Sequence, residues 1–242
     1  MLDIPLEDLL SLLVVIIAVI INLTVAIKSF KSYKANKLTQ TVLFAMTALF
    51  MALAMIFLVG EKVFLSSILH DGYLGLIFGS VAIILSGFTV AAVDSFAFNM
   101  AWPNKYKLLT ALSAIPIIVY LTLWLTDPSR IVLWSGTPES GEIEVGYITQ
   151  MTVYFTMVPL LVIPVLVFFY YAIKVREKSP VSSKRSWVLG LGVMTISAAY
   201  IFEIIGAAAL LEIEFLPTII RIFFSIGALL MYWALFKLKA KQ

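Results

Sequence analysis

Three observations predict an all-α membrane protein folded as a seven-transmembrane helix bundle. The 242 residues are 62% hydrophobic and only 13% charged, with a mean hydropathy of +1.05, whereas a soluble domain carries roughly a quarter charged residues. The apolar residues fall into seven runs, most near the length of about 20 residues that crosses a hydrocarbon core of about 30 Å. The basic residues gather in alternate connections between those runs. Residues 1–242 therefore read as a single transmembrane domain with no room for a separate soluble one.

In order, the first span is 9–27, almost wholly aliphatic except for Asn22, and it runs out into Lys28, Lys31, Lys34 and Lys37. The acidic start of the chain (Asp3, Glu7, Asp8) lacks the basic n-region of a cleaved signal peptide, so this run is expected to be a retained helix. The second span is 39–61, followed by a turn around His70, Asp71 and Gly72. The third, 73–101, carries Gly75, Gly79 and Gly87, small residues that let helices approach closely. Pro103 and Asn104 break it. The fourth, 108–125, contains Pro116, and the fifth, 148–173, contains Pro159 and Pro164, all three expected kink points. Spans 187–211 and 216–236 complete the seven.

The connection between helices 4 and 5 is the one sizeable loop. Within it, 131–135 is β-prone, 136–141 is a turn cluster around Pro138, and 142–145 alternates acid with β-branched residue. That pattern predicts a short β-hairpin over the outer mouth, the alternative being an irregular loop with Trp134 anchored at the interface.

Orientation follows from lysine and arginine in the short loops. With the N-terminus outside and the C-terminus cytoplasmic, the inner segments 28–37, 105–107, 174–185 and 237–241 hold 14 of the 17 basic residues, while 12 of the 14 acidic residues lie outside. The basic runs are thereby explained as topology determinants that meet anionic headgroups of the bilayer. A nucleic-acid partner is not implied, despite the net charge of +3.

Charges inside spans are costly unless they face the bundle interior and find a partner. Glu203 lies 18 residues into helix 6, about 27 Å from its inner end, and Arg221 lies about 9 Å below the outer start of helix 7. The two depths agree to within about a helical turn, so Glu203 and Arg221 are expected to form an intramembrane ion pair near Glu61 and Lys62. Tyr147, Tyr154 and Tyr200 are expected to line a pocket around the pair. A purely structural clamp between helices 2, 6 and 7 is the competing reading. Near the inner end of helix 3, Asp94 is expected to find a basic partner among Lys105, Lys107, Lys184 and Arg185, the Asp94/Arg185 combination forming an inner-face latch. Asn22 is expected to hydrogen-bond within the bundle.

Enzyme chemistry finds no support. One histidine and no cysteine do not make a catalytic zinc site, and there is no phosphate loop, nucleophile elbow or paired-carboxylate motif. The last span has no lysine for a retinal Schiff base. No cofactor is implied, and Ser and Thr in the spans read as packing groups.

The run 94–104 leading into 106–126, the turn Thr126-Asp127-Pro128, Trp134, the segment 141–147 opening helix 5, and the basic loop before 187–206 together resemble the seven-helix N-terminal sensor region of membrane histidine kinases. The resemblance covers roughly residues 40–240 as a pattern of hydropathy and punctuation. It implies a receptor-like bundle that binds a small or lipidic ligand in its outer half. Because the chain departs from the family in ending at Gln242 without a kinase domain, such a bundle is expected to signal through a separate protein partner. The alternative is a small-solute or ion transporter or channel using the same charges, although no residue-level repeat of the kind common in transporters relates 1–101 to 140–242. A third alternative is an assembly or lipid-organising protein.

Overall fold

The computed structural model describes residues 6–65, 72–126, 147–204 and 216–238. Every regular element among them is an α-helix: α1 Leu6–Asn36, α2 Thr39–Leu65, α3 Gly72–Ala101, α4 Tyr106–Leu125, α5 Tyr147–Lys174, α6 Pro180–Ile204 and α7 Leu216–Phe236. All seven are long and apolar enough to cross a membrane, so the chain is a multi-pass integral membrane protein. In hydrocarbon every backbone N–H and C=O must be satisfied within the segment, and the helix does this without neighbours. The predicted hairpin and the turn at His70 and Asp71 lie outside the described residues.

Two helices extend by seven residues or more past the apolar spans expected from sequence. α1 continues through the lysines to Asn36 because lysine is a good helix former and nothing interrupts the run. It stops at Lys37, whose φ of 56° is left-handed, and Asn36 Oδ1 accepts the Leu38 N–H at 3.0 Å. α6 starts at Pro180 rather than 187, since proline suits the first helical turn, where its missing N–H leaves nothing unsatisfied. α4 and α5 run through Pro116, Pro159 and Pro164 without ending.

The helices close into a ring. α1 packs on α2, α2 on α3, α3 on α5, α5 on α6, α6 on α7 and α7 back on α1, while α4 sits outside against α3 and α5. Accordingly α4 is the least buried, and Leu108, Leu112, Ile115 and Ile118 form an exposed apolar stripe along it that suits contact with lipid tails. The α1–α7 closure is marked by Lys28, whose ammonium donates to the Tyr232 hydroxyl at 2.6 Å and lies 4.8 Å from its ring centroid.

Two kinds of contact set helix registers. Serines of α6 donate across to carbonyls of α5: Ser183 to Ala172 at 2.7 Å, Ser186 to Phe168 at 2.8 Å and Ser197 to Leu161 at 2.9 Å. This agrees with the packing role expected of them. Between α6 and α7, Gly192 faces Gly227 so closely that a Cβ on Gly227 would lie 2.7 Å from the Gly192 carbonyl oxygen. Further along the same contact, Tyr200 meets Phe224 edge-on, with centroids 4.9 Å apart. A side chain at position 227 forces these backbones apart, so Gly227→Leu is expected to lower the thermal midpoint of the detergent-purified protein, a loss of about 1–3 kcal/mol. Unchanged unfolding would show that the α6–α7 contact does not govern the fold.

Candidate functional site

Continued by three residues on each helix, the antiparallel contact of Tyr200 with Phe224 brings positions 203 and 221 to one level. The side chains of Glu203, Lys62 and Tyr147 lie outside the described residues. Arg221 itself is buried, 5% exposed, and lines a cavity of about 380 Å³.

All seven helices contribute to that cavity. Val15 and Ala18 come from α1, Met55 and Glu61 from α2, Ala82, Ser86 and Val90 from α3, Tyr120 and Trp124 from α4, Met157 and Leu161 from α5, Tyr200 from α6, and Arg221 and Phe224 from α7. The wall is chiefly apolar, with carboxylate, guanidinium, phenol and indole groups placed among aliphatic side chains. Glu61 takes its place because Gly79 of α3 leaves room: a Cβ there would overlap the Glu61 carboxylate.

Of the residues singled out from sequence, Glu61, Tyr200 and Arg221 line this one cavity, whereas Tyr154 does not. Tyr120 and Trp124 were missed. They stand at i and i+4 on α4 with rings 6.0 Å apart, on the side away from the exposed stripe, and that aromatic pair on the inward face was a usable signal.

A second cavity, of about 310 Å³, lies at the lysine-rich end of the bundle between α1, α2, α3, α5, α6 and α7. Phe44 and Phe96 line it and continue into a buried aromatic stack, with Phe44–Phe96 at 5.4 Å and Phe96–Phe168 at 5.5 Å. Phe44, Phe96 and Phe168 therefore sit between the two cavities along the bundle.

Asp94 and Arg185 are not brought together. The Arg185 Nε donates to the Leu238 carbonyl at 2.6 Å. Asp94 is 0% exposed and neither carboxyl oxygen has a hydrogen-bond partner. Ser113 of α4 stands beside it but gives its proton to the Thr110 carbonyl at 3.0 Å. Lys105, Lys107 and Lys184 are exposed at the bundle surface, whereas Asp94 is fully buried. Asn22 donates its amide to the Ala18 carbonyl of its own helix at 2.9 Å, and its Oδ1 is buried without a partner.

A buried carboxyl group with no hydrogen-bond partner is costly, so replacing it with an apolar side chain, Asp94→Leu, is expected to raise the thermal midpoint in detergent, a gain of about 1–3 kcal/mol. A fall would mean that the carboxylate has a partner the helices do not supply.

Comparison of the chain with protein-family models, curated proteins and solved structures finds no match.

Proposed function

We propose that the chain is a receptor-like membrane sensor that binds a small amphipathic or lipidic molecule in the Glu61/Arg221 cavity. The observation that carries this reading is the cavity's make-up: about 380 Å³, apolar for most of its wall, with a buried arginine and a carboxylate among its lining residues. Ligand sites are commonly about 300–1,000 Å³, mainly apolar, with a few convergent polar groups. An apolar body would rest against Met55, Val90, Leu161 and Phe224, and a polar or zwitterionic head would meet Glu61, Tyr200 and Arg221.

Because each of the seven helices supplies a wall, occupancy would bias the packing of the whole bundle, which is what transmission to a separate protein partner needs. The segregation of 14 of 17 basic residues supports an orientation with the N-terminus outside and the C-terminus cytoplasmic. In that orientation this cavity opens toward the exterior half and the lysine-rich end meets the cytoplasm. The likeness to histidine-kinase sensor regions accords with the same reading.

A second reading, a pathway for a small solute or ion, draws on the end-to-end placement of the two cavities with Phe44, Phe96 and Phe168 between them. Saturable flux in proteoliposomes would favour it over a pure sensor.

Native mass spectrometry of the purified protein is expected to show a retained small-molecule or lipid adduct that is lost in Arg221→Gln and in Ala82→Leu, which fills the cavity. Identical adducts in all three proteins would remove the binding reading.

A further inference from the structure

The second cavity differs from the first in chemistry. Its described lining residues include no acidic side chain, and Arg185 is the one charged group among them. Around it stand the hydroxyls of Ser29, Ser32, Thr41 and Ser182 and the amide of Gln40, so hydrogen-bond donors reach the space from α1, α2 and α6. Gln40 and Thr41 belong to the first turn of α2 and Ser182 to that of α6.

Two side chains are left in states that call for a ligand. Ser29 is 0% exposed and its hydroxyl has no hydrogen-bond partner. A helical serine or threonine ordinarily back-bonds to the carbonyl four residues earlier, as Thr24, Thr47 and Thr89 do here; Ser29 does not, although a buried unsatisfied hydroxyl is costly. Arg185, for its part, spends only Nε on the protein, in its bond to the Leu238 carbonyl. Both terminal Nη groups remain, in the planar fork that matches a phosphate in two-pronged fashion. The same end of the bundle carries Lys31, Lys34, Lys37 and Lys184 against Glu177 and the buried Asp94, none of which lines the cavity.

We infer that this cavity is a binding site for a phosphate-bearing polar group, held by Arg185 with Ser29 at its buried end. The chemistry is shared by a soluble phosphate ester of a small polyol and by the headgroup of an anionic phospholipid. The site is independent of the Glu61/Arg221 cavity, with which it shares no lining residue.

The test uses the full chain in two arms. In lipid-free detergent, glycerol 3-phosphate is titrated by calorimetry against glycerol as control. In nanodiscs, native mass spectrometry counts retained phosphatidylglycerol against phosphatidylcholine. Binding in the first arm assigns the site to a soluble ester, and selective retention in the second arm alone assigns it to a lipid headgroup. In whichever arm responds, Arg185→Gln is expected to weaken binding by about 10- to 100-fold, the range of a charge-assisted hydrogen bond. Arg176→Gln, on the open groove formed by α5 and α6 near Trp187, is expected to leave it unchanged. If Arg185→Gln does not fold, Ser29→Ala decides in its place, with a weakening of several-fold. The inference is overturned if neither arm shows binding, or if binding is the same in the wild type and the deciding variant.

Discussion

The close approach of α6 and α7 at Gly192 and Gly227 is the contact on which the functional architecture depends. In hydrocarbon, helices gain little from burying apolar surface against each other, because lipid is equally apolar. Tight backbone contact and interhelical hydrogen bonds take over that role. Once the two glycines fix where α6 and α7 touch, the antiparallel register follows, Tyr200 meets Phe224 edge-on, and Arg221 is carried to the wall of the larger cavity. On its other side α6 is locked to α5 by Ser183, Ser186 and Ser197. One helix thus transmits the position of α7 to α5, and through α5 to α3 and α4.

The same medium explains how polar groups are distributed. Most hydroxyls in the spans are consumed locally, either by the carbonyl one turn back or by a carbonyl of the neighbouring helix, which makes them neutral to stability and useful for register. The exceptions stand out against that background. Asp94, Asn22 and Ser29 are all fully buried, and each retains at least one side-chain oxygen with no partner. Such groups are retained at some cost to stability, and in membrane spans polar residues of this kind tend to mark function.

The fold was largely legible in the sequence because the bilayer imposes one length and one hydropathy on every spanning element. Seven runs became seven helices. Helix ends were less legible: hydropathy reports where lipid stops, not where the helix does, so α1 runs on to Asn36 and α6 begins seven residues before its apolar run. Helix rotation and neighbour order were not available. That is why Tyr154 appeared as a wall residue, whereas the i, i+4 spacing of Tyr120 and Trp124 marked one face of α4 without saying that this face turns inward. The expected Asp94/Arg185 latch rested on sharing one end of the bundle, and depth within that end separates the two residues.

The relation between the two cavities gives the structure its remaining logic. Phe44, Phe96 and Phe168 form one packed stack drawn from α2, α3 and α5, and its members are almost entirely buried. Interiors packed at this density do not deform continuously, and they shift between discrete arrangements instead. Phe44 and Phe96 line the lysine-rich cavity, while α2, α3 and α5 also wall the Glu61/Arg221 cavity. Because α1, α6 and α7 wall both cavities as well, the stack is one of several packed connections between the two ends of the bundle, and the only one of them built from aromatic rings of three helices in mutual contact among the described residues.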